Sequence, residues 1–155
     1  MSRILAAIFI AILAAGCQTT TGTALTDPDA IHQAGVSGPK PSVLTTKPIP
    51  QAKAEAKKIF TSPMQGFRVI RETNNRLLFG KTLPANVNDN NPLKGRTKGA
   101  PVGRLELTFT NENGKTRVTG DNWVLLNPKG KNKDPFNLLA TPDGPRLQRK
   151  LNELK

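Results

Sequence analysis

Nucleophilic and acid–base catalysis need side chains that attack, or that titrate near working pH, held in a packed shell. This chain offers few of them. Its one histidine, His32, lies in a stretch without apolar periodicity, where nothing orients it; its one cysteine is Cys17; tyrosine is absent. Ser62 is the only serine beyond residue 51 and precedes Pro63, the place of a helix-end or turn residue. Carboxylate pairs are the remaining route. Glu72, Glu106, Glu112 and Asp121 fall on or beside expected hairpins. Glu106 alternates with Arg104 and Thr108 on what reads as a wet strand face, where a cross-strand charge pair is expected, and Glu112 sits in a turn. The residues predict no enzyme.

Binding motifs are equally sparse. Gly80-Lys81-Thr82 and Gly114-Lys115-Thr116 resemble the end of a phosphate-binding loop, but the earlier glycine it requires is Asn75 in one and Phe109 in the other. The Asn-Asp-Asn-Asn run around Asp89 resembles a calcium loop, yet Pro92 and Ala100 occupy positions that need other residues. One His and one Cys cannot assemble a zinc site from the usual ligands. No metal and no cofactor are expected.

Positive charge is the conspicuous chemistry. The chain has 23 Lys and Arg against 11 Asp and Glu, a net charge of +12. Every base except Arg3 lies from Lys40 onward, and the stretch before it holds only Asp27 and Asp29 as acids. Lys129, Lys131 and Lys133 share one polar loop, Lys94, Arg96 and Lys98 another, and Arg146, Arg149 and Lys150 the last helix. Such a field favours anionic partners. Nucleic acid is disfavoured, because the loops lack an aromatic stacking platform; Phe136, the one ring beside a basic loop, is expected in the core.

The N-terminus reads as an address. Arg3 precedes an unbroken apolar run from Ile4 to Leu13, followed by Ala14, Ala15, Gly16 and Cys17. That is the layout of a secretory signal, too short for an ordinary membrane-spanning helix. Leu-Ala-Ala-Gly-Cys resembles the lipobox of bacterial lipoproteins, in which the signal is cut before the cysteine and the cysteine is acylated. The resemblance implies a palmitate-type anchor at Cys17. Gln18 follows where an Asp would favour retention, so by resemblance to enterobacterial sorting the outer membrane, facing the periplasm, is implied.

These segments divide the chain into a signal peptide over 1–16, a lipidated Cys17 with a disordered tether to residue 50, and a small basic domain over 51–155. Pro28, Pro39, Pro41, Pro48 and Pro50 punctuate the tether, which lacks the apolar surface to offset the entropy of ordering it. In the domain, Ala52, Ala56, Ile59 and Phe60 mark one face of a helix with Lys53, Lys57 and Lys58 around it, and Pro63 and Gly66 stop it. Phe67–Glu72 and Arg76–Phe79 read as a hairpin turning at Asn74-Asn75, with Phe67, Val69 and Leu78 on one face and Ile70, Leu77 and Phe79 on the other unless the register slips by one. Thr82 to Ala100 is a long polar loop, functional or disordered. Leu105, Leu107 and Phe109 alternate along the next strand. Asn113-Gly114 turns it into a return strand to Leu126, with a break expected near Gly120-Asp121-Asn122. Trp123 and Leu125 are expected to rejoin the core. Leu147, Leu151 and Leu154 stripe a closing helix begun near Pro145 and capped by Asp143 or Gly144.

The sum is an α+β fold: a helix, a four-stranded antiparallel sheet from two hairpins, and a C-terminal helix. With strand four running into Asn127-Pro128 before a Leu-rich helix, this order resembles uncharacterised small α+β bacterial lipoproteins. The expected function is that of a non-enzymatic, membrane-anchored envelope lipoprotein. It would dock on an envelope protein as an accessory component of a larger assembly, or else bind an anionic envelope polymer or lipid headgroup through its lysine-rich loops.

Overall fold

A computed structural model of the chain describes residues 40–84, 97, 99–131 and 133–155. The elements run β1 (Ser42–Thr45), α1 (Ile49–Phe60), β2 (Arg68–Glu72), β3 (Arg76–Thr82), β4 (Val102–Glu112), β5 (Lys115–Leu125), β6 (Pro135–Asn137) and α2 (Asp143–Asn152). The fold is α+β, as expected, but the antiparallel sheet has six strands rather than four, in the order β1-β5-β4-β3-β2, with β6 also on β5. β1 takes the edge of β5 from Thr116 to Thr119, and β6 takes the same edge from Trp123 to Leu125. β1 lies inside the stretch read as tether, so the folded part takes in residues ahead of 51.

Both helices lie on one face. Ala52, Ala56 and Phe60 of α1 and Leu147 and Leu151 of α2 pack on Leu77, Phe79, Leu105, Leu107, Phe109 and Val118. Strand alternation puts these sheet residues on one side, and α1 lies over β4 while α2 lies over β5 and β1. Gly120 is what lets α2 sit so low. A Cβ there would come within 2.9 Å of the Leu147 side chain and 3.3 Å of Leu151. Gln148 also ties α2 to the sheet, accepting from the Ser42 N–H and donating to the Ser42 carbonyl, both at 2.9 Å.

The main hairpin turns at Asn113-Gly114, whose φ values of 52° and 77° are the left-handed pair of a type I′ turn. From there β4 and β5 pair without interruption from Glu112↔Lys115 to Val102↔Leu125, so the expected break near Gly120 is absent. In the first hairpin the register differs from the expected one. Val69 pairs with Phe79, a bulge follows, and Arg71 pairs with Leu78. Leu77, Phe79 and Phe67 therefore belong to the helix side, whereas Leu78 joins Trp123, Leu125 and Val102 in a separate cluster. Pleat fixes this, since a shift of one residue moves every side chain across the sheet.

Other boundaries move less. α2 begins at Asp143 with Pro142 as its N-cap, ahead of the expected Pro145 start. Lys53 does not lie around the solvent face. It is 8% exposed, and its ammonium donates to the Thr73 carbonyl at 2.6 Å and pairs with Glu72 at 2.7 Å. Phe136 packs with Val124, Leu126 and Leu138, as expected of a core ring.

Candidate functional site

The sheet's helix face is laid down in rows that pairing fixes. Leu77, Leu107 and Gly120 form one, Phe79, Leu105 and Asn122 the next, and Lys81, Gly103 and Val124 the last. The first two rows floor the core. In the last row the glycine has no side chain to contribute, and both helices have run out: α1 ends at Phe60 and α2 begins at Asp143. A cleft of about 660 Å³ opens there, within the range of about 300–1,000 Å³ usual for small-molecule sites.

Its floor is apolar, with Phe60, Phe67, Leu105, Val124, Leu138 and Leu147 among the lining residues. Its rim is basic. Lys81, Arg146 and Lys150 line it against one carboxylate, Asp143. Lys81 points inward because it continues the alternation of Leu77 and Phe79. Its ammonium lies 4.4 Å from the centre of the Phe67 ring and donates to the Gln65 carbonyl at 3.2 Å. Burial holds the Lys81 ammonium below the ordinary lysine range, and the Asp143 charge partly offsets this. Arg146 reaches Asp143 at 2.9 Å, and Lys150 pairs with Glu153 at 2.8 Å.

One of the basic loops named from sequence, that of Lys129, Lys131 and Lys133, falls at this end. Lys129 and Lys131 are exposed and Lys133 is half-buried, in the connection from β5 to β6 that follows Val124. They do not line the cleft. That connection is closed by backbone bonds from Leu126 N–H to Asp134 at 3.0 Å and from Asn127 N–H to Lys133 at 3.2 Å. The β3–β4 connection leaves from the same end, where the Leu83 N–H meets the Pro101 carbonyl at 2.9 Å. Lys94, Arg96 and Lys98 lie outside the described residues, as do Cys17 and His32. Ser62 donates its hydroxyl to the Ile59 carbonyl at 2.8 Å, the helix-end role expected of it.

The carboxylates are elsewhere. Glu106 and Asp121 stand directly opposite each other across β4 and β5, on the face away from the helices. They are 8% and 7% exposed, so that face of β4 is not wet as expected. Each has a cation: Arg76 at 3.9 Å from Glu106 and Lys40 at 2.6 Å from Asp121. Glu72 is held below the ordinary carboxylate range by hydrogen bonds from Lys53 and Lys57. Arg117 does the same for Glu112. Among the described residues, no three His, Cys, Asp or Glu side chains gather to hold a metal ion.

Sequence reading missed Lys81 and Gly103 as site residues. The signal for Lys81 was its place two residues beyond Phe79 in an alternating strand. Gly103 carried none, because only the register shows what stands beside it. The chain matches no protein-family model and no curated protein.

Proposed function

We propose that the chain is a non-enzymatic, membrane-anchored envelope lipoprotein whose domain binds an anionic lipid headgroup of the envelope. The observation that carries this is the convergence of Lys81, Arg146 and Lys150 on one cleft mouth. Lys129 and Lys131 stand exposed on a connection from the same sheet end. An envelope polymer shares the charge of such a headgroup but has no apolar part to place on Phe60 and Phe67. In this reading Cys17 carries the anchor, and the domain works from the outer membrane facing the periplasm.

Hydrogen exchange on the full chain, inserted in nanodiscs, tests it. Replacing phosphatidylcholine by phosphatidylglycerol should protect amides in 126–131 and 141–150, and high salt should remove that protection. Equal exchange in both lipids overturns the reading.

A second reading, docking on an envelope protein as an accessory component, is favoured by β2. Val69 and Ile70 are each 38% exposed on this edge strand, between Arg68 and Arg71. Crosslinked capture from membranes with Ile70→Glu beside the native chain tests it; a defined protein lost only in the variant would bring this reading forward.

A further inference from the structure

We infer that the cleft between α1 and α2 holds one single-chain anionic amphiphile, a fatty acid or a lysophospholipid, with its acyl chain on the floor and its head at Lys81 and Arg146. This rests on the reading that an anionic lipid is the partner, and adds that the lipid's chain leaves the bilayer. A domain that only touched headgroups would need cations on an exposed surface and no apolar floor behind them. Here the two are joined. Lys81 stands in the same row as Gly103 and Val124, so a chain lying over Gly103 brings its head to Lys81.

The partners that Lys81 contacts directly, a carbonyl and a ring face, are both neutral. An anion in the cleft supplies the charge-assisted contact they do not, and such contacts are roughly twice as strong as neutral ones. At Arg146 the incoming head competes with Asp143, which selects for a full negative charge over a zwitterion. The size suits an acyl chain. With a methylene taking about the room of a water molecule, ~30 Å³, one chain of about sixteen carbons needs roughly 500 Å³. The cleft of about 660 Å³ has room for such a chain.

Gly103 gives the decisive variant. Its Cβ position meets Lys81 and Leu83 side-chain atoms at 3.4 and 3.8 Å, ordinary contact, so a larger side chain there grows into the cleft without displacing backbone. The full chain in a maltoside detergent is mixed with palmitate, lysophosphatidylglycerol or lysophosphatidylcholine and examined by native mass spectrometry. One-to-one adducts are expected with the first two, at least about tenfold weaker with the third. Gly103→Leu should lose them while keeping the nanodisc protection described above. A series from octanoate through dodecanoate to hexadecanoate, on the native chain, should show affinity rising with length, a readout independent of any variant's folding. Adduct formation with only one of the two anions would assign the head as carboxylate or phosphate. Adducts unchanged in Gly103→Leu, or affinity indifferent to chain length, would overturn the inference and leave headgroup binding standing. Loss of nanodisc protection in the native chain would remove headgroup binding as well.

Discussion

Lys81 lies with its ammonium 4.4 Å from the centre of the Phe67 ring, at the end of a strand whose other inward residues, Leu77 and Phe79, are fully buried. A cation has been placed where the alternation calls for a hydrophobe. Its burial disfavours the charge, and the Asp143 charge offsets only part of that cost.

Lys81→Met should therefore raise stability at neutral pH while weakening binding of palmitate. The gain is up to about 1 kcal/mol, because the lost ring contact, worth roughly 0.5–1 kcal/mol, offsets part of the relief. The folded Lys81 gives up its proton more readily than the unfolded one. Between the folded value and the ordinary 10.5 the unfolded chain binds more protons, so native stability rises with pH there. Thermal melts across that interval should show the rise in the native chain and not in Lys81→Met.

The two glycines of the helix face should respond oppositely. Gly120→Ala pushes a methyl into Leu147 and Leu151 and should cost about 1–3 kcal/mol in urea unfolding. Gly103→Leu starts from ordinary contacts with Lys81 and Leu83 and grows into the cleft, and should leave the urea midpoint nearly unchanged. A large loss at Gly103 would mean that the cleft is not the space described.

Glu72 joins α1 to the first hairpin through Lys53 at 2.7 Å and Lys57. Its folded carboxyl is more acidic than the ordinary 4.5, so the stability it adds is complete above that value and is lost as pH falls through the folded one. Glu72→Gln should melt below the native chain at pH 7, and the two melting curves should converge in acid.

Lys129, Lys131, Lys133→Glu together should weaken the association with phosphatidylglycerol nanodiscs at least tenfold at low salt. Palmitate adducts should survive, since none of the three lines the cleft. Exchange and mass spectra on the same variant separate the two effects.

Much of the frame was legible. The stripes Ala52, Ala56, Phe60 and Leu147, Leu151, Leu154 repeat often enough to declare helices, and Asn113-Gly114 is a turn by backbone chemistry alone. β1 and β6 were not legible. Four and three residues hold too few alternations to show a period, and each begins beside or at a proline that reads as loop. Phe67 was grouped with Leu78 instead of with Leu77 and Phe79, because the bulge in β2 inserts a residue that no sequence pattern announces. The site was half visible. Arg146 and Lys150 stood out as helix cations, whereas the inward aim of Lys81 and the gap at Gly103 exist only in the register of three strands.

The clasp of Gln148 on Ser42 fixes β1 against α2, and the next residues back along the chain fix a heading. The Pro41 carbonyl accepts from the Gly120 N–H at 2.9 Å, and Lys40 reaches Asp121. Going backward from Ser42 to Lys40, the chain thus advances along β5 in the direction of Val124, where β6 takes the same edge. Lys40, the first described residue, therefore sits on the way to the cleft end of the sheet. If Cys17 carries the proposed anchor, tension on it would turn the basic, open end to the membrane and the Asn113-Gly114 hairpin outward.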